Sequence, residues 1–534
     1  MVDILFIVPS FIPAVCHESI GTLLLANVAR KAGYNVEILR YWEVYLSEKK
    51  YQKFSELFVN LILSKFPQIV SFYCRSDEYH ICIDLAKKVK FLNPKIKIIF
   101  GGPQADLSSK ETIKNFKFVD YICCGEGERT IVPLLDFLLK PNNKINMHNL
   151  EGLVFRDETG KIIKNRLPEL LSNDYSIDFK YYDLLPEQLL LQANSIAIDG
   201  GRGCPYDCFF CSTKTFWKQK FRFRNIENIL EEIEYVIVKY GICHFSFVHD
   251  LFTANRNRII TFCSELKRRK VRITWDCSSR LDTIDNDLID LMTEVGLKKI
   301  YYGVETGSQK MQYTINKRLN LSNSVKLISY SVVKNINVTT SFIYGFPEET
   351  EDELNDTISL MLQLHKIGVQ NIQLHLLSFD LGTTLVKKYK NELVSLRNSK
   401  FVSTYAFIEL YELIAKYPDV FVRFYEYPSP IRLEMKYLSL FFTMCINHFN
   451  RFDFLINVYV KNGVNHIVFY RHFLISCSSI LHKLENYKYN SITNALLFVM
   501  FDKFSSDFIH EKGKYYKTLN KVEQDHIKDF FSKN

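Results

Sequence analysis

No apolar stretch in these 534 residues reaches the roughly 18 needed to span a bilayer, so no membrane-embedded helix is expected. The opening residues, Met1-Val2-Asp3-Ile4-Leu5, lack the basic segment and small-residue cleavage site of a secretory leader, and read instead as a first strand. There is no polybasic block: the net charge of +9 is spread along the chain. Its densest basic stretch, Lys218 to Arg224, reads as a solvated segment and not as a nucleic-acid stripe. No Walker A motif, nucleophile elbow, tandem repeat or low-complexity tract is present, which leaves nothing to suggest a P-loop NTPase, an α/β-hydrolase or a solenoid.

What is present is a soluble globular balance, 47% apolar and 24% charged, in a chain long enough for two to four domains. Thirteen cysteines, an odd number, suggest reduced thiols and a metal site in the cytosol, not a disulfide framework. Three of them, Cys204, Cys208 and Cys211, stand at Cys-x3-Cys-x2-Cys spacing in Gly201-Arg202-Gly203-Cys204-Pro205-Tyr206-Asp207-Cys208-Phe209-Phe210-Cys211. The segment follows the apolar run Ser195-Ile196-Ala197-Ile198, and Gly203, Pro205 and Asp207 make it a turn-rich loop leaving a strand. Three close thiolates suit an iron–sulfur cluster or zinc. Three and not four leaves one position open for a ligand that is not protein.

Strand and helix patterns alternate on both sides of this loop. Before it, apolar runs at 4–8, 36–39, 69–72, 96–100 and 119–122 are separated by helical periodicity at 21–31 and 79–91. Such alternation predicts a doubly wound parallel sheet over residues 1–142, with ligands at the strand carboxyl ends. Gly101-Gly102-Pro103 and Gly125-Glu126-Gly127-Glu128 fall at those ends. Residues 143–190 read as a linker containing a hairpin around Asp157-Glu158-Thr159-Gly160. Strands near 196–199, 244–249, 272–276, 299–304, 338–343 and 371–377 then predict a partial (β/α)6 TIM barrel over 191–390, with chemistry at its strand ends. The last 144 residues carry helical periodicity at 401–416, 433–447, 452–460, 466–484 and 492–504, broken early by Pro418, Pro428 and Pro430. A helical C-terminal domain, 391–534, is expected there.

The cysteine triad, with an aromatic residue (Phe210) just before its third member, resembles the signature of the radical S-adenosylmethionine (SAM) enzymes. That resemblance implies a [4Fe–4S] cluster on Cys204, Cys208 and Cys211, SAM on the open iron, and a 5'-deoxyadenosyl radical as the reactive product. It also implies SAM contacts for Gly303 and Glu305 in Gly303-Val304-Glu305-Thr306-Gly307, and adenine contact for the loop at Gly345. Arg280, Lys317 and Arg318 are candidates for the SAM carboxylate, and Arg280 could equally pair with Asp282. His249, where relatives often have Asp, becomes a candidate substrate-side acid or base. An electron donor such as flavodoxin or ferredoxin is implied too.

Residues 1–142 resemble the cobalamin-binding domain that precedes many such barrels. The matching pieces are Gly21-Thr22-Leu23-Leu24-Leu25-Ala26, Ser71, Gly101-Gly102-Pro103 and Gly125-Glu126-Gly127-Glu128. Ser71, Gly101, Gly102 and Glu126 are the implied cobalamin contacts. One departure matters: Asp-x-His-x-x-Gly, which supplies a histidine to cobalt, is absent. His17 and Gly21 are one residue too far apart, and Val15 replaces the Asp. The expected activity is cobalamin-dependent methylation of an unactivated carbon in a peptide or natural product. The alternatives are radical SAM rearrangement, epimerisation or oxidative cyclisation, and a non-catalytic iron–sulfur sensor.

Overall fold

The structure is a computed structural model, and it describes residues 1–13, 19–48, 50–140, 144–395, 410–435, 437–447 and 465–477. Strands β1 (Val2–Val8), β2 (Val36–Arg40), β3 (Pro67–Tyr73), β4 (Lys97–Gly101) and β5 (Tyr121–Cys123) pair in parallel in the order 2-1-3-4-5. Helices cover both faces, so β1 is buried on both sides and its sequence shows a continuous apolar run, not an alternation. The helix Ile20–Lys31 begins where the Ser19 hydroxyl accepts the Thr22 N–H. The helix Tyr51–Ser64, not anticipated from the sequence, packs Phe54, Phe58 and Ile62 into the same core.

The hairpin read as a linker joins this sheet. β6 (Leu153–Arg156) pairs antiparallel with β5, and β7 (Ile162–Lys164) pairs with β6, giving seven strands. A short edge strand such as β5 gains a covered edge this way.

The second sheet consists of β8 (Ile196–Asp199), β11 (His244–Val248), β12 (Thr274–Ser279), β13 (Leu297–Glu305), β14 (Asn337–Tyr344) and β15 (Asn371–Leu376). All are parallel and neighbours in chain order, which is the expected partial barrel. Between β8 and β11 lies a small ribbon, β9 (Gly201–Arg202) with β10 (Arg222–Phe223). Helix ends are locally encoded: Gly241 and Gly368 take left-handed C-cap conformations, and Thr350 with Glu353 forms a capping box that starts the helix Glu351–Ile367.

The described part of the C-terminal region is mainly helical, as expected, with one short strand pair. Its described helices are Tyr411–Lys416, Pro430–Glu434, Leu438–Asn447 and His466–Ser476; the segments expected at 452–460 and 492–504 lie outside the described residues. Pro430 opens a helix at its first turn, with Ser429 as N-cap, where a break was expected. β16 (Val394–Ser395) pairs with β17 (Tyr425–Glu426). Ile414, Val420, Phe421 and Phe424 pack into the core of the first sheet, so this segment returns to the N-terminal domain. Among the described residues no helix is long and apolar enough to cross a membrane.

Candidate active site

The cysteine loop is closed at its base by the β9–β10 ribbon, in which Arg202 faces Arg222 and Gly201 faces Phe223. Gly203 has φ of +90°, and a Cβ there would overlap the Lys220 carbonyl, so the turn into Cys204 requires glycine. Its N–H donates to Asp250 at 3.0 Å. Farther along, the Phe209 N–H donates to the Ile315 carbonyl (2.9 Å), the Leu385 N–H donates to the Phe209 carbonyl (3.0 Å), and Asn316 donates to the Asp207 carbonyl (2.7 Å). Phe210 meets Phe346 edge-on at 5.9 Å. The loop is thus tied to the ends of three other segments before any metal is considered.

All three cysteines are free and half-buried. Burial pushes the Cys204 thiol up to about 11, with Cys208 and Cys211 adding to the effect. Burial also raises Cys208, while Lys317 and Arg280 pull the other way. Arg280 donates to the Cys208 sulfur at 3.6 Å, to Asp282 at 2.9 and 2.8 Å and to the Lys317 carbonyl at 2.7 Å. Its guanidinium lies 3.7 Å from the centre of the Tyr206 ring. So Arg280 pairs with Asp282 and faces a cluster cysteine at once. Such cationic surroundings favour thiolates and an anionic cluster. Among the described residues no three His, Cys, Asp or Glu side chains converge on one ion. A polynuclear cluster, with one cysteine per iron, asks for no such convergence, so the donor set fits the [4Fe–4S] group that the spacing implies.

Glu305 ends β13 at a bulge, buried and in a left-handed conformation, φ +72°. A non-glycine residue held there is a strained position of the kind found at functional sites. Lys317 donates to its Oε1 at 2.9 Å. Burial works against the Lys317 ammonium, but Glu305 and Cys208 outweigh it and its pKa is raised. Of the two neighbouring cations read from the sequence, Lys317 is the one turned inward beside Glu305. Gly303 leaves the space this pair occupies, since a Cβ there would overlap the Glu305 carboxylate. Gly345 follows β14; its N–H donates to Glu349 at 2.5 Å, and its carbonyl accepts from Arg432 at 3.2 Å.

A cavity of about 530 Å³ lies between the two sheets. One wall is the strand ends of the first domain: Ser71, Gly101, Gly102 and the loop Gly125–Glu128. The other is the base of the cysteine loop: Gly201, Arg202, Trp217 and His249. Gly102 has φ of +96°, and a Cβ there would come within 2.9 Å of the Cys74 carbonyl and the Tyr73 ring, so the turn after β4 requires glycine to pack against the end of β3. The wall of Ser71, Gly101, Gly102 and Gly125, short of large side chains, is a cradle suited to a large planar group such as a corrin. His17 lies outside the described residues.

Three expectations meet a geometry that the sequence did not show. Glu126 lines the cavity, but its carboxylate is bound by Arg202 (2.7 Å), Arg222 (2.8 Å) and the Leu171 N–H (2.5 Å). Burial opposes that charge; Arg202, the Leu171 N–H and Arg222 outweigh it, and the pKa is lowered. The basic stretch 218–224 is not a solvated segment throughout: Arg222 and Arg224 are buried, the latter paired with the fully buried Glu232. His249 is buried against Phe221, ring centres 5.1 Å apart and stacked, and burial drives its pKa down to about 3. It is a neutral imidazole at the cavity wall.

Sequence reasoning missed Arg202, Trp217 and His375. Arg202 stood next to the triad, but the carboxylates it donates to, Glu126 and Glu128, are more than 70 residues away. His375 sits on β15, donor or acceptor to Gln373 at 3.2 Å, and feels the Glu305 charge. A histidine near the end of a barrel strand was the available signal.

The Radical SAM superfamily model matches residues 198–361, and the B12 binding domain model matches residues 13–135. The chain is 29% identical over 307 residues to an "Uncharacterized methyltransferase PH0819" of Pyrococcus horikoshii, covering 57% of this chain and 66% of that protein. It is 24% identical over 287 residues to an anaerobic magnesium-protoporphyrin IX monomethyl ester cyclase of Rubrivivax gelatinosus, covering 52% and 50%. The chain therefore spans between half and two thirds of the length of these curated relatives. Among solved structures, the fold is similar to the cobalamin-dependent SAM radical enzyme OxsB with aqua-cobalamin and SAM bound: TM-score 0.62 at 14% identity, covering 99% of this chain and 75% of that one. With the triad, the six-stranded partial barrel and the Rossmann-like sheet ahead of it in place, the chain belongs to the radical SAM superfamily and carries a B12-binding domain.

Proposed function

We propose that this radical SAM enzyme is a cobalamin-dependent methyltransferase acting on an unactivated carbon of a peptide or natural-product substrate. The observation that carries the reading is the shared cavity: the strand ends of the B12-binding domain and the base of the cysteine loop line one space. A corrin on the first wall would have the base of the cysteine loop as the opposite wall of its cavity.

When bound, the reduced cluster supplies the electron that cleaves SAM, and the corrin supplies a transferable methyl group. The chain's own residues do the rest. Cys204, Cys208 and Cys211 would hold the cluster. Arg280 and Lys317 place positive charge beside Cys208, offsetting the charge of the thiolates. Glu305, with one oxygen on Lys317, retains lone pairs to accept from the SAM amino or ribose groups. The Gly345 turn, fixed by Glu349 and Arg432, shapes the adenine side. His249, held neutral by its burial with a pKa of about 3, is too weak a base to take a proton near neutral pH and serves as a wall of the cavity. An electron donor such as flavodoxin or ferredoxin and a reducing compartment, the cytoplasm, complete the reading; all described cysteines are free.

The test is anaerobic reconstitution with iron, sulfide and hydroxocobalamin, followed by SAM carrying a deuterated methyl group and a candidate substrate. Transfer of the labelled methyl with release of 5'-deoxyadenosine and S-adenosylhomocysteine is the expected result. The resemblance to the Rubrivivax cyclase favours one other outcome. Deoxyadenosine without S-adenosylhomocysteine would replace methyl transfer by rearrangement or cyclisation.

A further inference from the structure

We propose that Glu126, Arg202 and Arg222 form a junction through which the B12-binding domain sets the geometry of the cysteine loop. Glu126 belongs to the loop after β5, on the cavity wall. Arg202 stands two residues before Cys204 on β9, and Arg222 stands opposite it on β10, where the loop ends. One carboxylate therefore grips both ends of the base of the cysteine loop, at 2.7 and 2.8 Å. All three side chains are buried. Glu128 adds a second grip on Arg202 at 2.7 Å. Trp217, inside the loop, lies 6.0 Å from one guanidinium and 5.4 Å from the other.

The chemistry favours positioning over simple adhesion. Each arginine reaches Glu126 through its Nη1, Arg222 bonding both carboxylate oxygens, and buried contacts of this kind cannot relax into water. Among the described residues, Nε and Nη2 of Arg222 have no hydrogen-bond partner. Glu126 is then the charged group that fixes this guanidinium. A shift of the 125–128 loop must be followed by Arg202 and Arg222, and so by the loop between them. Energetic coupling of this kind is reciprocal: a ligand against the 125–128 loop changes the cluster environment, and the cluster changes affinity at the cavity. This inference rests on the reading that the cavity receives a corrin and the triad a cluster. Arg222 is the informative member, because it does not line the cavity.

The experiment uses the full chain reconstituted with iron and sulfide, with and without hydroxocobalamin. It compares wild type with Glu126→Gln, Arg222→Gln and Arg222→Lys. The readouts are iron content, the electron paramagnetic resonance signal of the reduced cluster, and the hydroxocobalamin dissociation constant from retained corrin absorption. In wild type, hydroxocobalamin shifts the cluster signal. In Arg222→Gln the signal is altered without corrin, no longer responds to it, and the dissociation constant rises about tenfold or more; Arg222→Lys restores part of each. Loss of iron loading with an unchanged melting curve also supports the junction. A wild-type cluster signal in both Gln variants, with and without hydroxocobalamin, overturns it. If wild type retains no corrin, the reading of the cavity fails, and the corrin-free cluster signals still decide the junction. Should a Gln variant not fold, Arg222→Lys carries the same comparison, and a signal identical to wild type in every condition overturns the proposal.

Discussion

The Lys317 ammonium donates to Glu305 Oε1 at 2.9 Å, twelve residues along the chain, and both side chains are buried beside Cys208. The backbone at Glu305 is left-handed, which costs on the order of 1–3 kcal/mol. The pair holds that conformation and places a carboxylate at the end of β13.

Lys317→Met should strand Glu305 as a buried, unpaired charge. The expected loss of stability is about 3–5 kcal/mol, and SAM affinity should fall at least about tenfold, roughly 1.4 kcal/mol. Glu305→Gln keeps the shape and removes the charge, so it should lose SAM affinity with less effect on folding. Denaturant melts and calorimetric SAM titrations on cluster-loaded protein separate the two.

Replacing any of Cys204, Cys208 or Cys211 by Ala should remove most of the reconstituted iron and abolish reductive SAM cleavage. Cys263→Ala is the control. Its thiol is buried under the barrel helices and held up near 12 by that burial, so iron content should match wild type. Iron analysis of the four variants decides between cluster ligands and packing thiols.

Gly203→Ala puts a Cβ against the Lys220 carbonyl at a positive φ. The cost falls on the ribbon that closes the cysteine loop, not on the barrel core. Iron incorporation should drop several-fold while far-ultraviolet circular dichroism stays unchanged.

His249 makes stability depend on pH. Folded, its pKa is about 3 because burial disfavours the imidazolium; unfolded, it returns to about 6.5. Between those values the unfolded chain binds the extra proton. The contribution is therefore complete above pH 6.5 and is lost as pH falls toward 3, on the order of a few kcal/mol in all. Melts at pH 7.5 and 5.0 should show a steeper loss in wild type than in His249→Phe.

Much of the fold was legible because its elements announce themselves locally. The run Ile4-Leu5-Phe6-Ile7-Val8 has no polar interruption, and a strand buried on both faces is what such a run makes. The triad was legible because all its ligands lie within eight residues of sequence. Glu305 and Gly303 were legible by their place at a strand end. The hairpin at 153–164 was recognised as a hairpin, but its pairing with β5 is a tertiary fact that local turn chemistry does not contain. Arg222 and Arg224 looked solvated for the same reason: their carboxylates, Glu126 and Glu232, are chosen by the fold. Pro430 was read as a breaker, though proline suits the first turn of a helix as well as it ends one.

Among the described residues the barrel sheet does not close. β8 and β15 each pair on one side only. A closed eight-stranded barrel fills its interior with its own side chains and admits substrate through one end. A six-stranded arc leaves two edge strands for other segments to cover: the helix Leu438–Asn447 lies against β15, where Ser439 donates to the Leu374 carbonyl at 2.9 Å, and the helix Ile20–Lys31 of the first domain lies against β8. The walls that a closed barrel makes from its own strands are borrowed here from both ends of the chain, so the space at the strand ends is bounded by three parts of the sequence and not by the sheet alone.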